Sequence, residues 1–390
     1  MNSTIPAGIT LNNRYYTVAQ LTNWTPDAEK RRLTQNELDT LSFCRQWLTG
    51  QQEFVVNTSG STGKPKAIII SREQMIISAQ ATGKALALKR GDRSLICMPT
   101  KYIAGKMMLV RSFVLSLETV IIEASSDPLA PFSQAERFEF TAVVPLQLQT
   151  LLEGPTRYQA ILNRMKAILV GGGPVSVALN QQLQSIRAPI YHTYGMTETV
   201  THIALRRLNG AQQSDAFVPL EGVQIGHVGG CLTIQAPVTR NKRLYTNDLV
   251  DLRPDGSFVW LGRADNVINS GGVKVQVEKV ERALQAIFLQ LGDQDLSGRR
   301  FFVGPLSHPR LGQAVTLVME GAPLDNKMEM MIRLGLRPQL EKYEIPRQFL
   351  YLPQLKETPT SKIDRPATLR LLEAQNGPHP QAASFPACGK

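Results

Sequence analysis

The sequence contains no apolar run near the roughly 20 residues that a membrane-spanning helix needs, which argues against insertion in a bilayer. Its four cysteines, Cys44, Cys97, Cys231 and Cys388, are scattered. They form no CxxC pair and no zinc-ligand spacing, so free thiols in a reducing compartment are expected. The opening "MNSTIPAGITLNNRYY" lacks the basic start and apolar run of a signal peptide. These absences together predict a cytoplasmic protein. There is no internal repeat and no low-complexity block. The basic residues are spread along the chain without a stripe interleaved with aromatics, which speaks against nucleic acid as a partner. No feature of the sequence sets an oligomeric state.

What is present is a chain of 390 residues, 43% hydrophobic and 19% charged, with room for a large core and two domains. The net charge of +11 favours anionic partners such as nucleotides or acidic metabolites, or serves solubility alone. From about residue 53 to 195, apolar runs alternate with amphipathic stretches. Strands are expected at 53–58, 66–71, 94–99, 119–124, 140–145, 166–173 and 189–195, with helices at 72–88, 104–117, 146–153 and 176–186. Such alternation predicts an α/β fold with a mostly parallel sheet covered by helices. From about 215 to 262 the segments are short and alternating, as in antiparallel β-structure. Beyond residue 265 come a hairpin, a helix at 277–290, strands near 300 and 315 and a helix at 325–337. The expected organisation is a large domain (1–264) with a β-rich subdomain, a small mobile α+β domain (265–370), and a disordered tail (371–390), rich in Pro, Gly and small residues.

Open parallel sheets bind ligands beyond the carboxyl ends of their strands, and several chemistry-bearing strings lie at such places. "TSGSTGKPK" (58–66) has glycines that let backbone amides approach a ligand, hydroxyls that donate to phosphate oxygens, and lysine charge. It lacks the Walker A spacing, and Pro65 denies the helix that would follow directly. A tight hairpin turn would also account for it. "GGGP" (171–174), "YGMTE" (194–198), "YTNDLV" (245–250), "GRADNVINSGGVKV" (262–275) and "TPTSKIDR" (358–365) follow in order. Taken singly, Tyr194 could be a core aromatic, Glu198 an acid favoured by a helix dipole, Asp248 a turn cap and Lys362 a surface lysine.

In this order the strings resemble the motifs of the adenylate-forming enzymes, which include acyl- and aryl-CoA synthetases, luciferases and peptide-synthetase adenylation domains. The resemblance runs from about residue 53 to 368. It implies that Thr58, Ser59, Gly60, Ser61, Thr62, Gly63 and Lys66 cradle the phosphates of ATP. Gly171, Gly172, Gly173 and Pro174 would line the adenine, with Tyr194 and Gly195 flanking it. Thr197 would contact phosphate and Glu198 would hold Mg²⁺. Asp248 and Arg263 would reach the ribose, and Asp265 would be the hinge. Lys362 would be the mobile catalytic lysine, and Gly271 and Gly272 would line a channel for coenzyme A. Two departures are Asn247 and Ser361, each where the family has glycine.

The implied reaction joins a carboxylate to the α-phosphate of ATP with release of pyrophosphate. A thiol, expected to be coenzyme A, then takes the acyl group and AMP leaves. Loading of a carrier-protein thiol, or a non-catalytic nucleotide-binding relative, are the alternatives. The stretch "MPTKYIAGKMMLVRSF" (98–113) falls where the family has a Pro-x-x-His segment beside the acyl site, with Tyr102 in place of His. Lys106 and Arg111, five positions and thus about 140° apart on a helix, cannot share one face. Either one points at a second carboxylate of the substrate while the other reaches solvent, or both are solvated charges. A spare cation there fits an acid with a second carboxylate, and the resemblance implies an aromatic or dicarboxylic acid. With the short length, this makes the chain similar to the short o-succinylbenzoate–CoA ligases of menaquinone synthesis. The 57 residues ahead of the loop imply a reduced N-terminal subdomain.

Overall fold

The computed structural model describes residues 6–26, 32–57, 67–357 and 363–376. The candidate phosphate loop 58–66 and the candidate lysine Lys362 lie outside them. The chain divides into two compact units, one ending at Trp260 and the other starting at Leu261.

The first unit is built on a nine-stranded sheet and two smaller ones. Its strands are β1 (Gly8–Leu11), β2 (Arg14–Thr17), β3 (Glu53–Asn57), β4 (Ala67–Ser71), β5 (Arg93–Ile96), β6 (Glu118–Ile121), β7 (Phe140–Val143), β8 (Ala167–Val170), β9 (Ile190–Gly195), β10 (His202–Arg207) and β11 (Val218–Pro219). The large sheet has the order β11-β10-β9-β8-β7-β5-β6-β1-β2. Strands β9, β8, β7, β5, β6 and β1 run parallel; β2 and β10 pair antiparallel at the two ends of this series, and β11 pairs antiparallel with β10. The central strands read "FTAV" and "AILV" and every residue in them is buried, as expected where helices cover both faces. Alternation along β8 splits the core: Ala167 and Leu169 face one cluster, Ile168 and Val170 the other.

The strand order reverses between β5 and β7, which makes a crevice beyond their carboxyl ends. The helix Ile103–Leu115 follows β5 there, and the helix Pro145–Glu153 follows β7 with proline in its first turn. The helix Arg72–Ala85 starts from a capping box in which Ser71 and Gln74 satisfy each other's backbone N–H.

Strands β3 and β4, expected to open the parallel series, instead form a separate antiparallel pair. Phe54, Val56 and Ile70 point into the core, while Val55 and Ile69 face solvent, so this pair buries one face only. Asn57 pairs with Ala67, so the two strands bracket the loop 58–66 at its ends.

Strands β12 (Gln224–Val228), β13 (Cys231–Gln235), β14 (Leu244–Leu252) and β15 (Phe258–Arg263) form the antiparallel region the sequence predicts. β15 carries the chain across the division of units.

The second unit contains β16 (Val267–Ser270), β17 (Val273–Gln276), β18 (Phe301–His308), β19 (Gly312–Glu320) and β20 (Gln348–Leu352) in one sheet. The helix Val277–Leu291 buries Val280, Leu284, Ile287 and Phe288 at helical spacing. The expected tail is partly corrected. A helix runs over Arg365–Asn376, and its Leu372 is buried with Phe302, Val318, Leu352 and Leu355. That burial anchors the helix beyond residue 370 at Leu372. Among the described residues no helix is long and apolar enough to cross a membrane.

Candidate active site

The glycine turn 171–174 begins where β8 ends. Gly171 donates its N–H to the Val143 carbonyl (3.1 Å), which ties the turn to the end of β7. A Cβ at Gly171 would lie 2.5 Å from Thr193 Oγ1, and Gly172 has φ +82°. Position 172 therefore favours glycine, and a side chain at Gly171 would force the Thr193 hydroxyl to move.

On the neighbouring β9, Tyr194 Oη donates to Asp248 Oδ2 at 2.6 Å. Trp260 Nε1 donates to the other oxygen, Asp248 Oδ1, at 3.1 Å. The Tyr194 ring stands edge-on to Phe258 (5.1 Å between centroids), and Phe258 stacks on Phe217. Asp248 is 9% exposed and both its oxygens are held by fixed donors. Each carboxylate oxygen has a second lone pair, which leaves acceptor capacity for a ligand hydroxyl.

Gly195 is required, since a Cβ there would lie 2.2 Å from the Thr201 carbonyl. Thr197 and Glu198 occupy the single turn Thr197–Thr199 that follows β9. Thr201 N–H donates to the Thr199 carbonyl at 2.7 Å, and Val200 has φ 67° and ψ −62°. This is a γ-turn with positive φ on a β-branched residue, a strained conformation of the kind that persists only when its surroundings over-determine it. Thr199 is buried and its hydroxyl donates to the Thr201 carbonyl (2.7 Å), locking the turn. Glu198 projects from it, exposed. Among the described residues no three His, Cys, Asp or Glu side chains gather as a metal cage. A single outward carboxylate fits a Mg²⁺ ion, which keeps several waters and takes phosphate oxygens with one or two carboxylates.

Tyr102 is 52% exposed at the start of the helix Ile103–Leu115. Lys106 is half-buried, and burial lowers its pKa against the opposing pull of Asp39. Arg111 is 3% exposed. Its Nε donates to Thr82 Oγ1 and its Nη2 to Thr201 Oγ1, each at 3.2 Å. No carboxylate pairs with it among the described residues, and burial lowers its pKa to about 10, so it stays charged at neutral pH. Thr82 spends its proton on the Ser78 carbonyl (3.0 Å). The 3.1 Å contact between Thr82 Oγ1 and His202 Nε2 must then be donated by the imidazole. His202, buried beside Arg111, is held neutral by burial first and by that charge second. The cluster is a buried cation in a shell of neutral hydroxyls.

In the second unit, Arg263 and Asp265 grip each other through two hydrogen bonds, Nε to Oδ1 at 2.8 Å and Nη2 to Oδ2 at 2.7 Å. The Arg263 carbonyl also accepts from Gln276 Nε2, and Asn266 Nδ2 donates to Glu278. Gly271 (φ +62°) and Gly272 (φ +83°) form the two-residue turn between β16 and β17. Positive φ at both residues is what such a hairpin turn demands, so the fold alone accounts for this pair.

Tyr194, Gly195, Thr197, Glu198, Asp248 and the turn 171–174 thus come from the ends of β8 and β9 and from β14, within the first unit. Arg111 joins them through Thr201, close behind Glu198 in the chain. Sequence reasoning passed over Trp260, His192 and the hydroxyls of Ser78, Thr82 and Thr201. Trp260 and His192 lay beside motif residues on alternating strands. Ser78 lies 123 positions from its partner Thr201 and Thr82 lies 120 from His202, so these contacts carry no local signal.

A family model for AMP-binding enzymes matches residues 47–232. A crystal structure from Dyadobacter fermentans, of an acyl-CoA synthetase (AMP-forming)/AMP-acid ligase II-like protein, is 40% identical. It aligns with a TM-score of 0.58 over 89% of this chain and 97% of its own. The 2-succinylbenzoate–CoA ligase of Bacillus cereus is 26% identical over 351 residues, 82% of this chain and 70% of the relative. The o-succinylbenzoate CoA synthetase of Bacillus subtilis, solved with its acyl-adenylate intermediate, is 23% identical and shares the fold with a TM-score of 0.65, covering 80% of this chain and 68% of that one. The chain belongs to the AMP-binding, adenylate-forming acid–CoA ligase family.

Proposed function

We propose that the chain activates an aromatic dicarboxylic acid with ATP and passes the acyl group to coenzyme A, o-succinylbenzoate being the substrate that fits best. The observation that carries the substrate class is Arg111. A buried cation with no counter-ion among the described residues is costly, because its lost hydration is replaced there by hydroxyl dipoles. A second carboxylate on the substrate would supply the missing charge. The B. cereus and B. subtilis relatives, named for o-succinylbenzoate, support the same reading.

The roles of individual residues follow in the same reading. Asp248, fixed by Tyr194 and Trp260, accepts from the ribose hydroxyls. Arg263 reaches the ribose after exchanging its grip on Asp265. Gly171, Gly172, Gly173 and Pro174 line the adenine. The loop 58–66 holds the phosphates and Thr197 donates to one of them. Glu198 would hold Mg²⁺, which when bound offsets phosphate charge. Lys362 brings its ammonium to the α-phosphate as the substrate carboxylate attacks and pyrophosphate departs. Asp265 serves as hinge of a mobile second unit, and Gly271 and Gly272 face the thiol.

The test is pyrophosphate release over a panel of acids, with and without coenzyme A. The reading requires turnover with o-succinylbenzoate and much less with its monocarboxylic analogues. Equal turnover of both would overturn the assignment of Arg111. Adenylate that only a carrier protein discharges would replace coenzyme A as acceptor.

A further inference from the structure

His192 lies on β9 two residues before Tyr194 and belongs to none of the motifs. Arg206 is its direct cross-strand partner on β10. An Arg206 Nη2 atom lies 3.1 Å from His192 Nδ1, and His192 Nε2 lies 3.2 Å from the Gly173 carbonyl. A guanidinium can only donate, so Nδ1 must be the acceptor. The proton of the neutral ring is then on Nε2, and it is donated to Gly173. One side chain thus reads a cation on one side and passes a hydrogen bond to the glycine turn on the other.

The arrangement is continuous with the ribose side of the site. The His192 ring packs 5.5 Å from Phe217, and the Arg206 guanidinium lies over the same ring at 5.1 Å. Phe217 stacks on Phe258, which backs Tyr194, the donor to Asp248. The turn and the carboxylate are therefore set against one aromatic group.

We infer that His192 is a positioning residue for the nucleotide: as the Nε2–H tautomer selected by Arg206, it fixes the Gly173 carbonyl and with it the turn 171–174. The inference rests on the reading of that turn as the lining of the adenine. Burial first, and Arg206 second, push the imidazole pKa down to about 4, so the ring stays neutral through the working range. Arg206, from β10, is the charged group that acts on it among the described residues, and the other contacts are the Phe217 ring and the Gly173 carbonyl.

The experiment compares His192→Ala, His192→Gln and Gly172→Ala in steady-state kinetics, with thermal melts alongside. His192→Ala is expected to raise KM for ATP roughly tenfold, the scale of one lost hydrogen bond and the disorder it allows. KM for the acid and for coenzyme A should stay within about twofold, a change smaller than one hydrogen bond. His192→Gln, which keeps a donor and an acceptor, should recover most of the loss. The ¹⁵N spectrum of the wild-type imidazole should show the Nε2–H tautomer with no titration above about pH 6, two units above its folded value. An unchanged KM for ATP in both His192 variants, with an increase in Gly172→Ala, would overturn the inference and leave the adenine reading standing. No change in any variant would remove the adenine reading and the inference with it. Equal increases in all three KM values with a lowered melting temperature would make His192 a merely structural residue.

Discussion

Tyr194 and Asp248 are joined by a 2.6 Å hydrogen bond that spans 54 positions of sequence and links the large sheet to the four-stranded one. The bond aims the carboxylate before any nucleotide arrives. Tyr194→Phe keeps the ring on Phe258 and removes the donor. Stability should fall by about 1.5 kcal/mol, the low end for a hydrogen bond to a charged group, and KM for ATP should rise roughly fivefold. Urea melts and initial rates check both. A variant that loses stability but keeps its KM would show that the bond serves the fold alone.

Arg111→Met separates function from stability. Exchanging a buried cation that no described carboxylate compensates for an apolar chain of similar length should leave the melting temperature unchanged or raise it. The same change should lower kcat/KM for the dicarboxylic acid roughly 100-fold, about 2.7 kcal/mol, within the range for truncating one partner of a buried charge pair. A monocarboxylic analogue should be nearly indifferent to it. Thermal melts and the acid panel are the measurements.

Lys362→Ala should slow adenylate formation by roughly 10²–10³, the cost of removing one preorganised donor at developing charge. Thioester formation from supplied acyl-adenylate should be spared. Rapid-quench assays of the separate half-reactions distinguish the two. Equal loss in both would place the lysine elsewhere in the cycle.

The pH dependence of stability has a definite sign. His192 has a folded pKa of about 4 against an ordinary 6.5. Between these values the unfolded chain binds a proton that the folded one refuses. Stability is therefore full above pH 6.5 and falls as the pH drops toward 4, by at most about 1.4 kcal/mol per unit from this group. Buried His202 adds to the slope in the same direction. Urea melts of the wild type and His192→Gln across this window should differ in slope. Parallel curves would mean that His192 titrates normally.

Much of the parallel core could be read from the sequence, because strands such as "AILV" and "FTAV" are apolar throughout and sit between helical stretches. The hairpin of β1 and β2 was hard to read from apolar pattern, since its strands are four residues each and carry only Ile9, Leu11 and Tyr16 as large buried side chains. Its signal was Asn12-Asn13, both with positive φ, as a two-residue turn requires. β3 and β4 looked like members of the parallel series because pattern reports burial and says nothing about direction. Asp248 and Tyr194 were legible as motif residues, but their bond to each other was not, for it depends on how two sheets pack. Arg111 was legible as a charge near the acyl segment. Its burial among Ser78, Thr82 and Thr201 needed three dimensions.

Trp260 gives this architecture an optical consequence. The other two tryptophans, Trp24 and Trp47, are sealed in the interior, whereas the Trp260 indole is bonded directly to the carboxylate assigned to the sugar. A ribose drawing on that carboxylate alters the electric field at the ring. With the role proposed for Asp248, the protein would carry its own emission reporter of nucleotide occupancy, readable without any added label.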